Sequence, residues 1–107
     1  MARIVWSEPA VADLLAIADY IAVENPAAAS ALVRRVYRHI GQLEEFPRSG
    51  GSIPELGADS RYRQIVEPPC RVFYRVQGEI VLILHIMRSE QILRPGLLSR
   101  EEPPESV

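Results

Sequence analysis

The chain has no lysine, so all 12 of its basic residues are arginines. It has one cysteine, Cys70, which excludes an intrachain disulfide. A lone thiol inside a strand-like apolar run reads as a small buried hydrophobe. Nucleophilic use would require a histidine base, and the sequence pairs neither His39 nor His85 with it. Two histidines and one cysteine are too few and too scattered for a metal centre. Gly50-Gly51 lacks the preceding strand, following helix and lysine of a phosphate-binding loop. No cofactor and no metal are therefore expected. No apolar run approaches the length of a membrane span. The N-terminus begins with a short strand-like run rather than a charged and then apolar leader, which points to a cytoplasmic protein. Internal repeats are absent.

The charges that are present divide unevenly. Residues 1–59 carry five Arg against eight acids, residues 60–100 carry seven Arg against three acids, and residues 101–107 add three more acids. An overall charge of −2 thus conceals a basic C-terminal half. Guanidinium forks match carboxylates and phosphates, so an acidic peptide and a nucleic acid are both candidate partners. The net acidity argues against strong non-specific binding of nucleic acid.

A chain of 107 residues that is 48% apolar makes one domain with a real but small core. Ala2 to Trp6 alternates and predicts a first strand. Ser7 is a helix cap, with Glu8 and Pro9 suited to the first turn. Val11, Leu14, Leu15, Ala18, Ile21 and Ala22 recur at helical spacing and predict one inner stripe, with Asp13 and Asp19 off it. Asn25-Pro26 ends this helix and opens another, giving an antiparallel pair. The second helix is expected from Pro26 to about Phe46. Ala28, Leu32, Val36, Ile40 and Leu43 form its inner stripe, Arg34, Arg35 and Arg38 face outward, and Pro47 stops it. Residues 48–59 form a loop pinned by Ile53 or Leu56. Three antiparallel strands follow, at Arg61–Glu67, Cys70–Val76 and Glu79–Met87. Pro68-Pro69 separates the first two, and Gln77-Gly78 makes the second turn. In the middle strand Arg71, Phe73 and Arg75 share one face, and Val72, Tyr74 and Val76 the other. The last strand is apolar almost throughout, as expected of a central strand covered on both faces. The fold class is α+β: an N-terminal strand, an antiparallel helical hairpin and a three-stranded antiparallel sheet, with both helices on one face. The domain covers residues 1–98. Residues 99–107, polar and proline-rich, read as a disordered tail.

The order of these motifs resembles the RelE/ParE toxins of bacterial type II toxin–antitoxin modules. The matching pieces include Trp6-Ser7, Asp13-Leu14, Tyr20-Ile21, Asn25-Pro26, Leu43-Glu44, Phe46-Pro47 and Gly50. They continue through Tyr62-Arg63, the strand from Arg71 to Val76, Gly78, and His85 to Arg88. Together they span residues 3 to about 93. Within this family, RelE-like members are ribosome-dependent mRNA endoribonucleases and ParE-like members act on DNA gyrase. The resemblance implies a small ParD-like antitoxin that wraps over the helices and sheet, a heterotetramer or larger assembly, and contact with operator DNA only through the antitoxin.

Cleavage through a ribose 2′-hydroxyl needs a base, a charge stabiliser and an acid for the leaving oxygen. Arg71 falls where RelE-like members place a phosphate-contacting arginine. The stretch after the last strand, Arg88 to Leu93, has no His or Tyr to serve as the acid. His85 lies inside the strand and reads as a sheet residue bonded to a neighbour. The ParE-like reading, binding without catalysis, is therefore favoured, with no catalytic residue assigned and the endoribonuclease as the alternative. Arg71, Arg75 and Arg88 are the expected target contacts. Arg63, Arg71 and Arg75, with Tyr20 and Tyr37 beside the helix stripes, are the expected antitoxin contacts. The competing reading makes Arg63, Arg71 and Arg75 solvated strand residues beside Glu67 and Glu79. Trp6 is expected at the helix–sheet junction.

Overall fold

A computed structural model describes residues 1–94 and 96–100, with the side chain of Arg100 outside the description. Strand β1 is Arg3–Trp6, followed by helices α1, Glu8–Ala22, and α2, Pro26–Gly41. Helix α2 ends sooner than Phe46, and a single 3₁₀ turn, Gln42–Glu44, carries Leu43 into the core. Strands β2, Gly51–Ser52, β3, Tyr62–Glu67, β4, Cys70–Gln77, and β5, Ile80–Arg88, complete the sheet. A four-residue helix α3, Leu97–Arg100, comes last. It includes Ser99 and Arg100, which the sequence reading assigned to the tail; residues 101–107 lie outside the described residues.

The expected α+β class, with a helical hairpin before an antiparallel β3–β4–β5 meander, is observed. The sheet is wider than expected, with five strands in the order β1-β5-β4-β3-β2. Strand β1 joins it parallel to β5, pairing Arg3 with Ile80 and Trp6 with Ile83. The α1–α2 hairpin is the crossover that a parallel connection needs. Local alternation in five residues cannot reveal which distant strand they pair with.

Both helices cover one sheet face. Ala10, Leu14, Leu32, Val36 and Ile40 meet Val72, Tyr74, Val81 and Ile83 there. The opposite face has no long helix. Ile53 from the 48–59 loop, with Leu93 and Leu98 from the C-terminal segment, closes it over Phe73, Leu82 and Leu84. Strand β5 is thus covered on both sides, which accounts for its continuous apolar run.

Two caps fix the hairpin. Ser7 Oγ accepts from Ala10 N–H at 3.1 Å and donates to the Leu84 carbonyl at 2.8 Å, so one hydroxyl starts α1 and ties it to β5. Asn25 Oδ1 accepts from Ala28 N–H at 3.0 Å, with Pro26 opening α2. At the Ser7 anchor β5 carries a bulge: Phe73 pairs with His85 and Tyr74 with Ile83, so Leu84 has no opposite residue.

The helix stripes are rotated from the expected ones. In α1 the buried residues are Ala10 and Leu14, with Ile17 and Ile21 packed beside them, while Val11 and Leu15 are exposed. In α2 Ala29, rather than Ala28, is buried. The α1 sequence carries two apolar stripes side by side, and only one of them meets the sheet.

Candidate functional site

The arginines on β4 do not stand in solvent. Arg71 and Arg75 retain only 7% and 4% of their surface. Arg71 is held by a fork: its Nη2 donates to Glu55 Oε1 at 2.7 Å and its Nη1 to Glu55 Oε2 at 2.9 Å. Its Nε donates to Gln64 Oε1 at 3.0 Å and its Nη1 also to the Gln91 carbonyl at 3.1 Å. Leu93 N–H completes the arrangement by donating to Glu55 Oε2 at 2.9 Å. One guanidinium therefore joins β4, β3, the 48–59 loop and the C-terminal segment. Its hydrogen bonds and the Leu93 N–H hold the Glu55 carboxyl down at about 2. The guanidinium also lies over the Phe73 ring at 4.9 Å. Arg75 Nη2 donates to Gln77 Oε1 at 2.6 Å, among other interactions.

These positions correct the expectation that Arg71 and Arg75 are accessible contacts, and also the reading that places them beside Glu67 and Glu79. Glu67 instead accepts from Arg35 Nε at 3.4 Å and pairs with His39 Nδ1 at 3.1 Å. Arg63 is likewise occupied, with its Nη1 donating to the Arg48 and Gly50 carbonyls at 3.2 and 3.0 Å. It anchors the start of the long loop.

Arg88 and Tyr20, named separately from sequence, are brought together. The Arg88 guanidinium lies 5.0 Å from the centre of the Tyr20 ring, and its Nε pairs with Glu90 Oε1 at 3.1 Å. Tyr20 is 68% exposed. Together they form an outward-facing aromatic–cation platform where α1 meets the end of β5. Tyr and Arg are the residue types most often found carrying the energy of a protein interface. Tyr37 is on the far flank of the hairpin, half-exposed and stacked on Trp6 with ring centres 4.9 Å apart.

His85 is bonded to a neighbour, as expected. Its Nδ1 lies 2.7 Å from Asp13 Oδ2, which also accepts from Ile86 N–H at 3.0 Å. Cys70 is fully buried, and burial pushes its thiol upward, opposite to what a nucleophile needs. Among the described residues no group of His, Cys, Asp and Glu could hold a metal ion. No described helix is long and apolar enough to cross a membrane.

A further open surface lies on the helical hairpin and is lined mainly by small and apolar residues. Ala18, Asp19 and Ala22 of α1 and Pro26, Ser30 and Val33 of α2 line a groove of about 400 Å³ along the outer seam of the hairpin. By helical spacing the α1 wall continues through Leu15, which is 58% exposed, to Val11.

A family model described as the ParE toxin of type II toxin-antitoxin system, parDE, matches residues 4–93. The chain belongs to the ParE toxin family. Toxin RelE2 of Caulobacter vibrioides is 33% identical over 92 residues, covering 86% of this chain and all of that protein. A solved structure titled Chromosomal ParDE TA system from P. aeruginosa superposes with a TM-score of 0.71 at 29% identity. That match covers 84% of this chain and 98% of the other. The protein is thus the toxin component of a type II toxin–antitoxin system, for which an antitoxin is the expected partner.

Sequence reasoning about this toxin missed Glu55, because its partner is 16 residues away and on another element. The available signal was an acidic residue beside the hydrophobic pin of a Gly/Pro loop. It also missed the groove, because Ala18 and Ala22 of its α1 wall were assigned to the core.

Proposed function

We propose that this ParE-family toxin arrests growth by binding DNA gyrase, without cutting RNA, and that a ParD-like antitoxin neutralises it. The observation carrying this reading is the engagement of Arg71 inside the chain. A ribonuclease needs that guanidinium at the scissile phosphate. Here Nη1 and Nη2 fork onto Glu55, Nε is held by Gln64 and the second Nη1 proton by the Gln91 carbonyl. Freeing it would break its ion pair with Glu55 and its bond to the Gln91 carbonyl of the C-terminal segment. The missing His or Tyr after β5 supports the same conclusion.

The target surface is assigned to the Arg88–Tyr20 platform. Arg88→Ala is expected to abolish toxicity while leaving the fold intact, since the side chain is partly exposed and its ion pair with Glu90 is a surface one. The antitoxin is assigned to the hairpin groove and the adjoining Tyr37, where a disordered segment could fold as it binds. The complex is a heterotetramer or larger, and operator DNA is reached through the antitoxin.

The test is induced expression without antitoxin in a bacterial host, following nucleoid shape and mRNA integrity in one culture. Filamentation with DNA damage and intact mRNA supports the proposal. Rapid loss of translating mRNA would replace it with the endoribonuclease reading.

A further inference from the structure

Arg35, Arg38, His39 and Gln42, at and just beyond the end of α2, recur every three or four residues and so share one helix face. With Glu67 at the end of β3 they line a cavity of about 330 Å³ that shares no residue with the hairpin groove. Glu67 holds two of them in place. Its Oε2 accepts from Arg35 Nε at 3.4 Å, and its Oε1 lies 3.1 Å from His39 Nδ1. Arg35 Nη2 also donates to the Pro68 carbonyl at 3.2 Å. A carboxylate only accepts, so His39 Nδ1 carries a proton and Nε2 is left on the other side of the ring. Both oxygens of the one acid lining the cavity are thus engaged. Arg35 Nη1, the Arg38 guanidinium, His39 Nε2 and the Gln42 amide have no partner among the described residues. Two guanidiniums against one carboxylate leave the cavity positive.

We infer that this cavity binds a phosphate group, held by Arg35, Arg38 and Gln42, with His39 Nε2 donating once the ring is protonated. Guanidinium forks match carboxylates and phosphates alike. Glu67 already fills the place of a carboxylate. The donors left over outnumber the two oxygens of a second one, and they suit the about three acceptor oxygens of a phosphate ester. Arg38 and His39 also stand in the last turn of α2, where a cation offsets the carbonyl end of the helix. That effect accounts for a basic residue at this place. It does not account for Arg35, Gln42 and an orienting carboxylate gathered around one cavity. The carbonyl end also opposes an anion, so both guanidiniums are needed. The site lies apart from the Arg88–Tyr20 platform and stands independently of the target and antitoxin assignments. Two sources carry such a group, a nucleic-acid backbone and a free nucleotide.

The experiment follows the amides and histidine rings of isotope-labelled full-length toxin by NMR. Inorganic phosphate is added at constant pH and ionic strength, and sodium acetate in a parallel titration. Saturable shifts confined to residues 35–42 and Glu67 are expected with phosphate and not with acetate. The His39 ring nitrogens should move towards the imidazolium form as the site fills. Arg38→Gln should weaken phosphate binding about threefold to fivefold, and the double change with Arg35→Gln should abolish it. Arg34→Gln, an exposed arginine of the same helix outside the cavity, should leave it unchanged. The amide spectrum shows in each case that the variant is folded. No saturable shift overturns the inference. So does an equal loss in Arg34→Gln, which would leave only general surface charge. Equal saturation by acetate overturns it in favour of a carboxylate from an acidic protein. A short DNA duplex and ATP are then added in separate arms. The one that moves the same amides, and does so only with Arg38 present, is the source. If neither does, phosphate binds as an adventitious ion only and the inference falls.

Discussion

Replacing Glu55 by glutamine removes the charge opposite Arg71 while keeping the size of the side chain. The guanidinium, 7% exposed, then has no anion, and a cost of about 1.5–3 kcal/mol is expected in urea unfolding. The pH dependence follows from the depressed carboxyl. Glu55 titrates at about 2 in the folded chain against an ordinary 4.5, so the folded state binds its proton more weakly than the unfolded one. Its contribution is complete above about 4.5 and is lost as the pH falls towards 2. Glu55→Gln should therefore flatten the stability profile in that interval, and a profile as steep as the natural one would contradict the assignment. Gly50 is a second residue-scale dependency. Its N–H donates to Tyr74 Oη at 2.9 Å, and a Cβ there would stand 2.5 Å from that oxygen and 2.7 Å from the Gln64 carbonyl. Gly50→Ala should cost about 1–3 kcal/mol, measured in the same way. Neither dependency was legible in the chain. The alternation of β4 correctly placed Arg71 and Phe73 opposite Val72 and Tyr74. Alternation names a face without saying what covers it, and here the cover is a loop whose carboxylate turns a surface arginine into a buried one.

Elements differ in how far their own residues specify them. The α1–α2 turn is legible because Ser7, Asn25 and Pro26 act locally, and each cap is found where the sequence places it. Ser7→Ala loses two hydrogen bonds, one to the helix and one to β5, while Asn25→Ala loses one. The expected costs are about 2 and about 1 kcal/mol respectively, by thermal or urea unfolding. Equal costs would mean that the Ser7–Leu84 bond contributes nothing. The face of α1 was less legible. Val11, Leu15, Ala18 and Ala22 are as apolar as Ala10, Leu14, Ile17 and Ile21 and share their period. Periodicity therefore identifies the helix but cannot choose which stripe meets the sheet. The stripe left open is where an element-scale substitution should separate folding from binding. Leu15→Glu is expected to change stability by less than about 0.5 kcal/mol and to weaken antitoxin binding by about tenfold or more.

At the scale of the whole molecule, one sheet divides two kinds of surface. The helix side presents a groove lined by Ala18, Asp19, Ala22, Pro26, Ser30 and Val33. The other side is sealed by the 48–59 loop and the C-terminal segment through the Arg71–Glu55 fork. The basic C-terminal half seen in the sequence is only partly on the surface: Arg71 and Arg75 are buried and Arg63 holds a loop, while Arg61, Arg88 and Arg94 reach solvent. Composition counts charges but does not tell which of them reach solvent, which is why the burial of Arg71 and Arg75 could not be read from the arginine pattern. The exposed Tyr20, Leu15 and Val11 are where the proposed partners would attach. The most direct measurement is DNA supercoiling by purified gyrase titrated with folded toxin, the natural protein beside Arg88→Ala. Dose-dependent loss of supercoiling with the natural toxin, much weaker with Arg88→Ala and reversed by antitoxin, is the predicted result. Supercoiling that stays fully active at a large excess of folded natural toxin would contradict it.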